Sequence, residues 1–90
     1  MGLYPYSINR MREVISKHYP NSQAKRGLDD IPAHLLWMLD EIGKMDNIAK
    51  AGRWIGYVFG RAEALGIIDN NDSRDMARKD AHNGHDSLPT

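Results

Sequence analysis

Apolar side chains recur every three or four residues in four separate stretches of the chain, which is the spacing of amphipathic α-helices. This periodicity predicts helices over about residues 8–18, 31–45, 48–68 and 70–81. No stretch alternates apolar and polar residues with the period of two that is typical of β-strands. The sequence therefore predicts an all-α fold, a compact bundle of about four helices.

The residues that precede these helices are of the types that cap helix N-termini. A side-chain oxygen at this position accepts a hydrogen bond from a backbone N–H group in the first turn. The predicted caps are Ser7, the acidic pair Asp29 and Asp30, Asn47 and Asp69, with Asp72 at the second position of a capping box. Pro32, in the first turn of the second helix, strengthens the prediction that this helix begins at residue 31.

The length of 90 residues fits one domain, which we place at residues 1–81. Residues 82–90 have no apolar periodicity, and we expect a flexible tail there. Cysteine is absent, which excludes disulfides, thiol nucleophiles and Cys-based zinc sites. No basic segment followed by an apolar run begins the chain, and no stretch reaches the ~18 apolar residues of a membrane span. We therefore expect a cytoplasmic protein with no membrane segment.

Positive and negative charges cancel over the whole chain but not along it. The sequence has 12 Lys and Arg against 12 Asp and Glu, so it lacks the basic excess of many nucleic-acid modules. Counted by segment, residues 1–28 carry 5 basic and 1 acidic side chains, 29–46 carry 1 and 5, 47–68 carry 3 and 1, and 69–90 carry 3 and 5. The resulting blocks of +4, −4, +2 and −2 favour antiparallel docking of the first two helices, with plain solvated faces as an equal alternative.

A row of small residues runs along the third helix. Gly52, Gly56 and Gly60 recur at every fourth position, and Ala64 continues the row. Each interior glycine lowers helix stability by up to ~1 kcal/mol relative to alanine, so another contact should offset the loss. Small residues also let a second backbone approach closely. We expect this row to pack against helix 1 or helix 4. Self-association with a second copy and contact with a foreign partner are the alternatives.

Aromatic and charged residues form a second candidate site. Trp37 projects from the second helix away from its apolar face, and we expect the N-terminal arm or helix 1 to cover it. The alternative is an exposed anchor for another protein, because Trp, Tyr and Arg dominate interface energetics. The third helix carries a similar cluster, for which a place in an interface and a place in the core are equally favoured: Arg53, Trp54, Tyr57 and Arg61. The candidate partner-binding residues are Trp37, Asp40, Glu41, Arg53, Trp54, Tyr57 and Arg61.

Signatures of catalysis and of cofactor binding are missing from the sequence. It contains no P-loop, dinucleotide-binding turn, nucleophile elbow or zinc-protease motif, so we expect no enzyme activity, cofactor or metal. His34 is interpreted as an ordinary surface or boundary histidine. A small helix-turn-helix-like DNA-binding regulator is the alternative function, using Arg74 and Arg78 of the fourth helix or the basic first segment. Pairing of Asp75 with Lys79 on the same helix makes nucleic-acid binding the weaker interpretation.

Three stretches together resemble small accessory proteins of phages and prophages. They are His34–Ile42, Lys50–Gly60 and the Leu65–Asp69 corner, within roughly residues 30–80. The resemblance implies a context rather than residue roles. Such proteins are often binders that block or redirect a host machine, among them anti-CRISPR proteins. We therefore expect a non-enzymatic inhibitor or modulator of a host protein complex, acting in the host cytoplasm and self-associating as a homodimer.

Overall fold

The computed structural model describes residues 2–83 of the chain. Four α-helices make up the fold: α1 (Pro5–His18), α2 (Ile31–Ile42), α3 (Ile48–Ala64) and α4 (Asn70–Asn83). Residues 2–83 contain no β-strand, so the all-α prediction is confirmed. Helix α4 continues two residues past its predicted end, and residues 84–90 of the predicted tail lie outside the described residues.

The core forms where the predicted apolar faces meet. Helices α1, α2 and α3 each contribute four buried side chains at helical spacing, and Ile68 and Met76 complete the cluster. Two residues that continue the apolar spacing of α3, Ile48 and Leu65, are instead 45% and 36% exposed. Ile48 is the first residue of α3 and Leu65 follows its last residue, so neither lies against the centre of the bundle.

The local caps of α2, α3 and α4 are confirmed. The Asp30 carboxylate accepts a hydrogen bond from the Ala33 N–H at 3.2 Å, and the Asn47 side chain accepts one from the Lys50 N–H at 2.9 Å. Before α4, two aspartates form a reciprocal capping box, in which each carboxylate accepts from the backbone N–H of the other at 2.9 Å: Asp69 and Asp72. Asp thus fills a position where Glu or Gln is usual.

Helix α3 ends earlier than predicted, at Ala64. Gly66 has a φ of 76°, a left-handed conformation that glycine adopts without steric penalty. The Gly66 N–H donates to the Glu63 carbonyl at 3.0 Å, and the Ile67 N–H donates to the Ala62 carbonyl at 3.2 Å. This pair of bonds is a Schellman motif, which terminates the helix. Helix α2 also ends before its predicted limit, at Ile42.

The start of α1 differs most from its prediction. Ser7 does not cap the helix, which begins at Pro5, and Tyr4 at the N-cap position supplies no side-chain hydrogen bond to it. The acceptor comes from α4: the buried Asp80 carboxylate accepts from the N–H groups of Tyr6 and Ser7 at 2.8 and 2.9 Å. The Ser7 hydroxyl donates to the same carboxylate. A residue 73 positions away in sequence therefore caps α1.

The packed neighbours follow the spatial order α4, α1, α2, α3. Of the two interpretations of the charge blocks, contact between α1 and α2 is the one found, and Arg12 and Asp40 form an ion pair between them at 2.6 Å. Because both side chains are nearly half exposed, the pair contributes only ~0–1 kcal/mol. The order places α3 at one edge of the bundle. None of the helices within residues 2–83 is both long and apolar enough to cross a membrane.

Candidate functional site

Two of the predicted site residues meet between α2 and α3. The rings of Trp37 and Trp54 lie with centroids 5.8 Å apart and planes tilted by 42°. Both side chains are half-buried and pack at the margin of the core. The pair therefore fixes the two helices to each other while leaving part of each indole at the surface.

Cations lie over the exposed aromatic rings of this region. The three pairs, measured from the cation to the ring centroid, are Arg26 over Trp37 at 5.4 Å, Lys50 over Trp54 at 5.7 Å and Arg61 over Tyr57 at 5.7 Å. Such contacts contribute ~0.5–1 kcal/mol each at exposed sites. We call the combined region the aromatic–cationic surface, which comprises Arg26, His34, Trp37, Lys50, Arg53, Trp54, Tyr57 and Arg61.

His34 has a specific role that the sequence did not reveal. Its Nδ1 accepts a hydrogen bond from the Gly27 N–H at 3.0 Å, which places the ring proton on Nε2. The same ring stacks on Trp37, with centroids 5.5 Å apart and an interplanar angle of 26°. His34 thus ties the loop between α1 and α2 to the aromatic–cationic surface and brings Arg26 over the indole. No periodicity or motif in the loop predicts this hydrogen bond.

The indole of Trp37 has ring contacts from three parts of the molecule: the loop, α2 itself and α3. In the N-terminal arm, the Tyr4 hydroxyl lies 3.0 Å from the position that a Cβ would take on Gly52. The arm therefore lies against the start of the glycine row, and the expected cover of Trp37 by the arm stays a prediction.

The remainder of the glycine row is open. A Cβ built on Gly56 or Gly60 meets no other atom of the described residues within 4 Å, and both residues and Ala64 are exposed. The predicted packing of this part of the row against helix 1 or helix 4 is wrong, because α3 lies at the edge of the bundle with α2 as its main neighbour. The face of α3 that carries these small residues has no partner within residues 2–83.

The acidic members of the predicted site are already paired. Asp40 binds Arg12 at 2.6 Å, and Glu41 accepts from Lys44 at 3.3 Å. By contrast, Arg53 forms no ion pair within the part of the chain that the structure describes. The residues of the aromatic–cationic surface therefore include four basic side chains and no carboxylate.

Helix α4 presents a different kind of surface. Arg74 and Arg78 are exposed, and Asp75 and Lys79 form the predicted ion pair at 3.5 Å. Lys79 also donates to the Tyr6 hydroxyl at 3.3 Å, and this hydrogen bond together with the Asp75 charge raises the pKa of Lys79 above 10.5. Because α4 packs mainly on α1 and α3 mainly on α2, the last two helices do not form the tightly packed pair of a helix-turn-helix.

A groove of about 450 Å³ lies between α1 and α4. Its carboxylates serve local structure: Glu13 pairs with Arg10 at 3.2 Å, Asp75 pairs with Lys79, and Asp72 belongs to the capping box. Among residues 2–83, no three His, Cys, Asp or Glu side chains are grouped so that they could hold a metal ion.

No protein-family model matches the chain, and no curated protein or solved structure shows significant similarity to it. The resemblance to phage accessory proteins stays a prediction, as does the expected inhibitory role. The geometry of residues 2–83 therefore carries the functional argument.

Proposed function

We propose that the chain is a non-enzymatic protein-binding module that docks on a partner protein through the aromatic–cationic surface. The observation that carries the proposal is the Trp37–Trp54 pair, which stands between two helices with cations over its rings. Tryptophan, tyrosine and arginine are the residues that contribute most to binding at protein interfaces. Two rigid indoles held by core packing also lose little side-chain entropy when a partner covers them.

Exposed apolar side chains extend this surface. Tyr57 is 40% exposed on α3, and Leu28 is 63% exposed next to the loop glycine that His34 holds. Apolar centres surrounded by charged groups are typical of protein interfaces, where the rim stays hydrated. The resemblance to phage accessory proteins supplies the proposed setting: the partner is a protein of the host cell, and binding inhibits or redirects a host complex.

The alternative of a DNA-binding regulator is supported by Arg74 and Arg78 on α4, which are exposed and form no ion pair with other described residues. The same helix exposes Asp72, and Asp75 is only half-buried, so phosphates would meet carboxylates along it. Arg10 and Arg12 of the basic first segment are engaged with Glu13 and Asp40. Protein binding at the aromatic–cationic surface is the function that the contacts favour.

Affinity capture from a host lysate with quantitative mass spectrometry tests the proposal. Three baits are compared. One is the unaltered chain, one carries Arg53→Glu and Tyr57→Ala at two exposed positions on α3, and the matched control carries Arg74→Glu and Ala77→Ser on α4. A host protein captured by the unaltered chain and by the control, but lost with the α3 variant, supports the proposed surface. A protein retained equally by all three baits assigns binding to another face and contradicts the proposal.

A further inference from the structure

The outward face of α3 is a cationic helix face without a partner among residues 2–83. Its buried positions point towards the core, and Arg53, Gly56, Gly60 and Ala64 are exposed on the other side. Lys50, at the start of the helix, is exposed as well. The face is therefore flat along the glycines and bordered by positive charge.

Nothing on α3 neutralises this charge. Lys50, Arg53 and Arg61 form no ion pair within residues 2–83. The helix has one carboxylate, Glu63, and it is half-buried and accepts a hydrogen bond from the Ser73 hydroxyl at 2.6 Å. An occupant of this face must supply the negative charge itself.

A second copy of the chain fits the face poorly. Pairing two α3 helices across Gly56 and Gly60 would place Arg53 and Arg61 of each copy close to the same residues of the other. Like charges brought together at an interface oppose association. Because Gly56 and Gly60 have no Cβ, a foreign helix backbone can approach closely there, and Tyr57 beside them offers an apolar contact.

We infer that the occupant of this face is an acidic amphipathic helix of a partner protein, lying along Gly56 and Gly60 with its carboxylates on Arg53 and Arg61. The inference rests on the proposed protein-binding function and adds the chemistry of the partner. Binding of an amphipathic helix by its apolar anchors is a recurrent recognition mode. Charge complementarity would speed association and make the affinity fall as salt concentration rises.

The test is a display selection against the immobilised protein. The library consists of amphipathic helices of about five turns in which the positions that border the apolar face encode Asp, Glu, Lys, Arg, Ser and Ala in equal proportion. Enrichment of Asp and Glu is expected, with salt-dependent binding by the selected peptides in fluorescence anisotropy. Enrichment of basic or neutral helices, or of none, overturns the inference.

Variants locate the binding and separate the two proposals. Arg53→Glu with Arg61→Glu, and separately Gly60→Leu, should each weaken the selected acidic peptides by about tenfold or more. The matched controls on α4, Arg74→Glu with Arg78→Glu and Ala77→Leu, should leave the affinity unchanged. Circular dichroism establishes that every variant has the helicity and Tm of a folded chain.

The possible failures differ in what they contradict. Selected helices that are basic or neutral, yet lost with Tyr57→Ala, overturn the acidic partner and leave the binding surface standing. Peptides unaffected by every α3 substitution overturn both. Two further measurements would identify a different occupant. Sedimentation equilibrium would identify a second copy of the chain, if it shows a dimer that Gly60→Leu abolishes. Binding of oligothymidylate would identify nucleic acid, if it is tighter than that of any selected helix and is lost in the variant with Arg53→Glu and Arg61→Glu. Either result overturns the inference.

Discussion

Replacing Asp80 with alanine should destabilise the fold more than any surface substitution. The Asp80 carboxylate is fully buried and accepts hydrogen bonds from the N–H groups of Tyr6 and Ser7 and from the Ser7 hydroxyl. Tyr4, at the N-cap position, gives the helix no side-chain hydrogen bond that could replace them. Asp80→Ala therefore leaves the start of α1 uncapped and loses the polar connection between α1 and α4.

The size of the destabilisation follows from the hydrogen-bond donors that lose their acceptor. The Ser7 N–H and hydroxyl are buried, and each buried donor without an acceptor costs about 1–3 kcal/mol. The half-buried Tyr6 N–H can reach water more easily and adds about 1 kcal/mol as a lost cap. The sum, allowing for partial hydration, is about 3–5 kcal/mol. A chain of 90 residues has a total stability of about 5–13 kcal/mol, so a large fraction is lost.

Urea denaturation followed by far-ultraviolet circular dichroism measures the loss. Asp80→Asn keeps one acceptor oxygen but removes the charge, and it should be destabilised by about 1–3 kcal/mol. Asp75→Ala, whose side chain is 48% exposed in its ion pair with Lys79, is the matched control on the same helix and should change stability by less than about 1 kcal/mol. An Asp80→Ala variant as stable as this control would refute the capping role.

Three further predictions concern other parts of the molecule. Gly56→Ala and Gly60→Ala should each raise the free energy of unfolding by up to ~1 kcal/mol in urea titrations. Gly52→Ala should raise the free energy of unfolding by less, because the new methyl group would lie 3.0 Å from the Tyr4 hydroxyl. His34→Ala should speed amide hydrogen exchange in the loop and lower stability by about 1–2 kcal/mol, and unchanged exchange would contradict the tether. The pKa of Lys79 is raised in the folded chain, so the stability that its charge contributes is complete below pH 10.5 and is lost as the pH rises further. The difference in stability between the unaltered chain and Lys79→Gln should therefore shrink in alkaline solution. A difference that does not change with pH would refute this prediction.

The sequence predicted the local features of the fold well. The sequence predicts Asn47 and Asp69 as caps, and Asp30 as one of an acidic pair, because each acts on a backbone N–H group three residues away, a distance that a sequence pattern can encode. The start of α1 could not be predicted in the same way. Its cap, Asp80, is brought to it only by the packing of α4, and in isolation that residue is an ordinary acidic position on a polar helix.

The candidate site was predicted in part for the same reason. Helical periodicity placed Trp37 away from the apolar face of α2, but it could not identify Trp54 or Arg26 as its neighbours. Likewise, the spacing of Gly56 and Gly60 defined a row on α3 without revealing whether another helix covers it. That depends on the order of the helices in space, which places α3 at the edge of the bundle.

Stability and binding should therefore respond in opposite directions to changes on α3. Gly56 and Gly60 lower the stability of the helix by up to ~1 kcal/mol each, and no close contact within residues 2–83 offsets that loss. If a partner helix lies against the glycines, filling them with larger side chains stabilises the free chain and weakens the complex. Loss of both properties together would instead mean that the glycine face belongs to the folding core.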